Sequence, residues 1–269
     1  MAAKPPTLYH IEISHYNEKA RWALDHKGIE HERRAPTPGA HMAVALWLTR
    51  GRNKTFPVLQ LEGEAIGDST AIIAELERRF PDPPLYPEDP DERLRALELE
   101  EFFDEELGPH ARLLAFHEAT KDPAVVERFT VDLLPGRLAG IGPVHAGAMR
   151  FFKTFAALRY GVKSDRRAEL ARAKILAALD RLESELGPGD YLVGDGFTVA
   201  DLTAASLLYP LVQPPEGPAL PPAPEALERF RAPLKERPGY RWVQEMFAKH
   251  RRPARVSDEV GVDAEVPAG

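Results

Sequence analysis

Pro57 most narrows what this chain can fold into, because it stands at the head of the apolar run in Thr55-Phe56-Pro57-Val58-Leu59. Val58, Leu59 and Leu61 suit a strand, and a sheet tolerates proline only at a strand's first residue, an edge or a bulge. An X-Pro bond is also the one peptide bond with an accessible cis form. A cis bond here would turn the amide and carbonyl of Phe56 outward, where they can pair with a peptide-like ligand. Eight residues beyond Leu59 comes Gly67-Asp68-Ser69-Thr70, with Ser69 where a helix should begin. A rigid proline beside a helix start reads as a binding site for a small zwitterionic ligand.

The 269 residues, 43% of them apolar, suffice for one large core or two modest ones, and two domains are expected. A formal charge of -7 argues against a nucleic-acid surface, which needs clustered cationic excess. Met1-Ala2-Ala3-Lys4-Pro5-Pro6 lacks the apolar core of a signal peptide. No apolar run approaches the roughly 20 residues that span a bilayer, so neither membrane nor export is expected and the cytoplasm is. With no cysteine there is no disulfide, no cysteine nucleophile and no thiolate metal site. Any thiol chemistry must use a borrowed thiol, and no histidine spacing suggests a metal.

Leu8 to Ile13 alternates as a strand does, Asn17 to Lys27 carries helix formers, and Gly28 closes that helix. Glu30 to Arg34 makes a second strand, and a short helix is expected around Met42 to Thr49. The Pro57 strand turns at Glu62-Gly63 into an antiparallel partner at Ala65-Ile66. The helix from Ser69 to Arg79 follows, and the order is that of a thioredoxin-like α/β domain, residues 1–82. Five prolines within Pro81 to Pro90 make a linker, placed at 83–90. Residues 91–252 should be all helical, with periodicity over Asp91 to Leu107 and Arg166 to Leu186. Thr198 and Asp201 read as a capping box with Phe197 as half of a hydrophobic staple. Residues 130–165 form an insertion whose Phe151, Phe152 and Phe155 suit a lid or a dimer contact. Met149 to Tyr160 has no assigned element, Tyr209 to Pro224 reads as a proline-rich connector, and 253–269 as a disordered tail.

From Leu8 to His250 these residues resemble the cytosolic glutathione transferase superfamily. The resemblance is carried by Ser14-His15-Tyr16-Asn17-Glu18-Lys19-Ala20-Arg21 after the first strand, the Thr55 to Leu59 loop, the Asp68-Ser69 pair and the Thr198/Asp201 box. The serine after the first strand is similar to that of the theta, zeta and bacterial serine-type enzymes. The family has a thioredoxin-like domain followed by an all-α domain, and the resemblance implies a homodimer with glutathione as co-substrate. It departs in having His15 where proline or serine is common and Asp68 where Glu or Gln is usual, and the chain is longer than typical members.

A free thiol of pKa about 8.5 is only about 3% ionised at pH 7, and lowering that pKa by two units takes about 2.7 kcal/mol. A hydroxyl donor and the positive end of a helix are strong enough together. The resemblance places Ser14 in this role, with capping of the following helix as the alternative; Asn17 could itself be that cap. Tyr16 and Tyr9 are the competing phenols, with packing as their alternative, and His15 reads as a solvated loop residue. Phe56 and Pro57 are expected to meet the cysteinyl part of the ligand, with an ordinary strand-start proline as the alternative. Asp68 and Ser69 suit its γ-glutamyl end, with Ser69 as a simple helix cap as the alternative. Lys54 and His41 could reach its glycyl carboxylate, or stand as ordinary exposed cations. Tyr16, Phe103, His110, Leu113, Phe116 and His117 would line the site for a small hydrophobic electrophile. The expected reaction is conjugation. Glutathione-dependent isomerisation or dehalogenation is the enzymatic alternative, and a non-catalytic ligand-binding or scaffold protein on the same fold is the other.

Overall fold

The computed structural model describes residues 4–36, 40–133, 142–186 and 189–252. A four-stranded mixed sheet has the order β2-β1-β3-β4, from β1 (Thr7–Tyr9), β2 (Glu32–Arg34), β3 (Val58–Leu61) and β4 (Glu64–Gly67). β1 lies parallel to β2 and antiparallel to β3, with Leu8 opposite Arg33 and Leu59. Helices α1 (His15–His26), α2 (His41–Leu48) and α3 (Ser69–Arg79) complete the thioredoxin-like domain.

β1 is shorter than the alternation over Leu8 to Ile13 predicts. The Ile11 N–H goes to Asn17 Oδ1 and the Ile11 carbonyl accepts from Ser14 N, so neither group is left for a ladder. The same turn starts α1 two residues earlier than the helix expected from Asn17, with Ser14 in the N-cap position. Gly28, at φ +64°, ends it with the left-handed geometry that glycine adopts without steric cost.

The helical domain runs through α4 (Pro90–Phe102), a π-helical turn (Phe103–Leu107), α5 (Gly108–Lys121) and α6 (Pro123–Leu133). It continues with α7 (Gly142–Tyr160), α8 (Asp165–Glu185), α9 (Val199–Val212), α10 (Glu225–Arg231) and α11 (Pro238–His250). The helix expected over Asp91 to Leu107 therefore changes winding at Phe103. Met149 to Tyr160 belongs to α7, where Phe151 is exposed and the side chains of Phe152 and Phe155 lie outside the described residues. The 253–269 tail also lies outside them. Among the described residues no helix is long and apolar enough to cross a membrane.

α9 is the axis of the core, buried at every position except Pro210. It corrects the connector expected from Tyr209. The helix continues past Pro210, with Gln213 N bonded to Tyr209 O at 2.7 Å, because burial on all sides outweighs the single bond that proline removes. Its entrance is a capping box: Thr198 Oγ1 accepts from Ala200 N, and Asp201 accepts from Thr198 N at 2.8 Å. Asp201 also accepts from Leu192 N. Phe197 stacks on Trp22 and His250, at ring distances of 5.5 and 4.4 Å. Tyr209 reaches across from α9 to donate to the Ile13 carbonyl at 2.7 Å, tying the central helix to the turn that carries Ser14.

Candidate functional site

A cavity of about 720 Å³ opens between the two domains, against the N-termini of α1 and α3. Ser14, Tyr16, Phe56, Pro57, Asp68, Ser69 and Phe116 line it, so the structure brings together seven of the residues singled out from the sequence.

Ser14 holds the N-cap position of α1 by its extended backbone, yet its side chain makes no capping bond. Its Oγ instead accepts from Asn17 Nδ2 at 2.7 Å. The hydroxyl is therefore not consumed by the helix end, and it stands where the helix dipole favours negative charge. The Phe56–Pro57 bond is cis. The Phe56 ring packs with Ala45, Leu48 and Val58 in a small core under α2, and its carbonyl accepts from Asn17 Nδ2 at 3.3 Å.

Asp68, rather than Ser69, caps α3. Its Oδ1 accepts from Thr70 N at 3.0 Å and Ala71 N at 3.2 Å. The residue sits at φ +80°, a region that L side chains occupy at a cost of about 1 kcal/mol or more; the two cap bonds offset that cost. Its side chain is exposed, while Ser69 is buried at the first helical position.

An ion cluster stands at this end of the cavity, with Thr70, Glu100 and Asp104 in the wall and Lys19 behind them. Lys19 is fully buried, with Nζ 2.6 Å from Asp104 Oδ2, 2.8 Å from Glu100 Oε1 and 2.9 Å from Thr70 Oγ1. Thr70 Oγ1 donates to the same Asp104 oxygen at 2.7 Å. α1, α3 and α4 with its π-turn thus meet at one ammonium group.

Tyr16 forms the wall beside Ser14. In the π-turn, Gly108 N bonds to Phe103 O and bypasses the Asp104 carbonyl. That carbonyl accepts from the Tyr16 hydroxyl at 2.7 Å. Burial pushes the Tyr16 phenol well above its usual range, so it stays protonated, with that proton already donated to the Asp104 carbonyl. A Cβ at Gly108 would fall 2.2 Å from the Tyr16 oxygen, so glycine is required for this approach. His15 is not the solvated loop residue expected. It is 3% exposed, and its Nε2 sits 3.0 Å from the Gly108 carbonyl, which can only accept, so Nε2 carries the proton. Burial, with Arg112 nearby, depresses its pKa to about 3 and keeps it neutral.

The other expected pocket residues are elsewhere. Phe103 is in the core at the head of the π-turn, and His117 is buried with Nδ1 2.6 Å from the Val162 carbonyl. Leu113 packs on the core, and His110 faces Lys174 and Glu106. Lys54 is exposed between the lining residues Asn53 and Thr55 without lining the cavity itself, and the His41 ring lies 6.3 Å from that of Phe56. The far wall comes from a segment read only as a connector: Leu220, Pro221, Pro222, Ala223 and Pro224. The run of prolines was the signal for an apolar wall there. Among the described residues no group of His, Asp or Glu is arranged to hold a metal ion.

With this geometry in place, comparison with known proteins is decisive. Residues 8–84 match the glutathione S-transferase N-terminal domain family, and residues 144–243 its C-terminal domain family. The chain belongs to the glutathione S-transferase superfamily. Within this superfamily, it is 26% identical over 209 residues to a probable maleylacetoacetate isomerase of Caenorhabditis elegans, covering 78% of this chain and 80% of that protein. Among solved structures, a Methylobacterium radiotolerans glutathione S-transferase in complex with glutathione sulfonate aligns with TM-score 0.53 and 26% identity, covering 96% of this chain and all (100%) of that one. A theta class enzyme from Xanthomonas axonopodis pv. citri with glutathione bound shares the fold, at TM-score 0.56 and 20% identity over 94% of this transferase chain and 100% of its own.

Proposed function

We propose that this transferase-family protein binds glutathione with its sulfur at Ser14 and joins it to a hydrophobic electrophile seated against Phe116 and the Leu220–Pro224 wall. The observation that carries this reading is the Ser14 hydroxyl, which lines the cavity at a helix N-terminus and makes no capping bond. In the reaction the thiolate sulfur forms a bond to an electrophilic carbon, and the leaving group departs with its bonding pair. Ser14 donates to the thiolate before attack. Ser69 and the start of α3 receive the γ-glutamyl carboxylate, while the Asp68 oxygen not used in capping faces its ammonium. The same reading takes the protein as a homodimer, in keeping with Leu94 standing exposed on α4.

A second reading is supported by the isomerase relative: the thiolate adds to a conjugated double bond, the former double bond rotates, and elimination returns the glutathione. Glutathione consumption separates the two, since conjugation uses one thiol per turnover and isomerisation none. The absence of cysteine disfavours reductive routes in which a protein thiol resolves a mixed disulfide.

Ser14→Ala is expected to leave glutathione affinity nearly unchanged and to lower turnover at pH 7 by about 10-fold or more, the loss of one charge-assisted hydrogen bond. Asp68→Asn and Ser69→Ala should instead raise KM for glutathione more than they lower kcat, as when uniform binding is removed. Steady-state kinetics with calorimetric binding checks both. Parent-like glutathione binding by folded Asp68 and Ser69 variants would overturn the anchoring roles and favour a ligand-binding protein for a different thiol.

A further inference from the structure

Asn17 is fully buried on the first turn of α1, and its amide is held by three partners whose chemistry fixes its orientation. The Ile11 N–H, which can only donate, points at one amide atom from 3.1 Å and identifies it as Oδ1. The other atom is therefore Nδ2. It divides its two hydrogens between Ser14 Oγ at 2.7 Å and the Phe56 carbonyl at 3.3 Å. A serine hydroxyl has one proton and two lone pairs. With Asn17 filling one lone pair, the Ser14 proton is kept off the amide and is left able to point into the cavity that Ser14 lines.

We propose that Asn17 is a positioning residue for the thiol chemistry: it holds the Ser14 hydroxyl as a donor toward the ligand sulfur and locks the Phe56 carbonyl to the same rigid amide. The proposal rests on the reading of Ser14 as the thiol donor. Without Asn17 the hydroxyl rotates, its proton is shared with water and backbone acceptors, and the donor is no longer oriented before the charge develops. Asn17→Asp sharpens the case, since it keeps the volume and the acceptor for Ile11 N–H but replaces the donor to Ser14 by an acceptor. The Ser14 proton would then turn to the carboxylate.

The test is an ultraviolet titration of the glutathione thiolate bound to the full chain, for the parent, Ser14→Ala, Asn17→Ala, Asn17→Asp and both Asn17 changes combined with Ser14→Ala. Circular dichroism reports folding, and the near-isosteric Asn17→Asp serves if Asn17→Ala fails to fold. Each Asn17 single variant is expected to lower the thiolate fraction at pH 7 by about the same 10-fold as Ser14→Ala. Adding Asn17→Ala to Ser14→Ala should change nothing further, and the effect of Asn17→Asp should shrink when Ser14 is already alanine, which a simple charge effect would not do. A parent-like titration in Asn17→Ala, or fully additive effects in the double variants, overturns the positioning role while leaving the Ser14 reading intact. A parent-like titration in Ser14→Ala overturns both.

Discussion

Lowering the pH from 7 towards 4 is expected to unfold this protein steeply, because His10, His15 and half-buried His26 are held in the neutral form. Burial is the main cause in each case, depressing the pKa of His10 and His15 to about 3 and that of His26 to about 4. The His10 and His15 depressions are reinforced by the neighbouring arginines Arg21 and Arg112, respectively. In the unfolded chain these side chains take up a proton near pH 6.5, whereas in the native protein they do so only near pH 3 to 4. Their contribution is complete above the unfolded value and is lost as the pH falls towards the native ones. Each costs roughly 1.4 kcal/mol per pH unit in that window. Asp201 opposes them, since burial raises its carboxyl to about 6 and the native state gains its proton first. These three groups against Asp201 leave a net loss on the order of 3 kcal/mol per pH unit between pH 6 and 4, and fully buried His31, whose pKa burial also lowers, adds to it in the same direction. Urea unfolding at pH 7, 6, 5 and 4.5 measures it. A stability that stays level from pH 7 to pH 5 would contradict the neutral burial of these side chains. His15→Gln keeps a donor for the Gly108 carbonyl and removes one titrating group, so its stability should fall less steeply with pH than the parent's.

Lys19→Met is expected to cost about 3 to 5 kcal/mol, the effect of removing one partner from a buried ion pair. Glu100 and Asp104 would be left facing each other without their shared cation, their side chains 3% and 15% exposed. The ion pair with Glu100 is close but poorly directed as a hydrogen bond, while that with Asp104 is well aligned and shared with Thr70. The urea midpoint should drop with little change in slope. Combining Lys19→Met with Glu100→Gln and Asp104→Asn removes the stranded charges and should recover most of the loss. Because Thr70 follows Ser69 directly, any folded Lys19 variant should also bind glutathione more weakly. A loss under about 1 kcal/mol would place the cluster with exposed pairs, which contribute that little, and would falsify its role as the tie between α1, α3 and α4.

Much of the site follows local rules and was legible in the chain. The hairpin after Pro57, the helix from Ser69 to Arg79 and the Thr198/Asp201 box each depend on residues within a few positions of one another. Hydrophobic alternation, turn chemistry and capping act over that range. The winding change at Phe103 was not legible, because a π-turn has no composition of its own; here it is held by Tyr16, 88 positions away from Asp104. Helical spacing points to Phe103 and His117 as pocket residues, yet spacing says only that a face is apolar and not what covers it. Pro210 shows the converse. Local rules forbid a helix there, and burial on α9 overrules them.

The sequence by itself determined a thioredoxin-like order of elements, a helical second half and no thiol of its own, and it pointed to a serine, a proline and an acidic-serine pair as the groups that would meet a thiol ligand. The tertiary structure decided how those groups are oriented. Ser14 Oγ accepts from Asn17 Nδ2, one turn on, while the same amide is held by Ile11 and Phe56, and in the proposed reading this leaves the hydroxyl proton for the cavity. Asp68 rather than Ser69 caps the start of α3, its side chain accepting from Thr70 N and Ala71 N. A hydrogen-bond donor has a direction, and direction is set by partners brought together in space, which the order of residues along the chain does not specify.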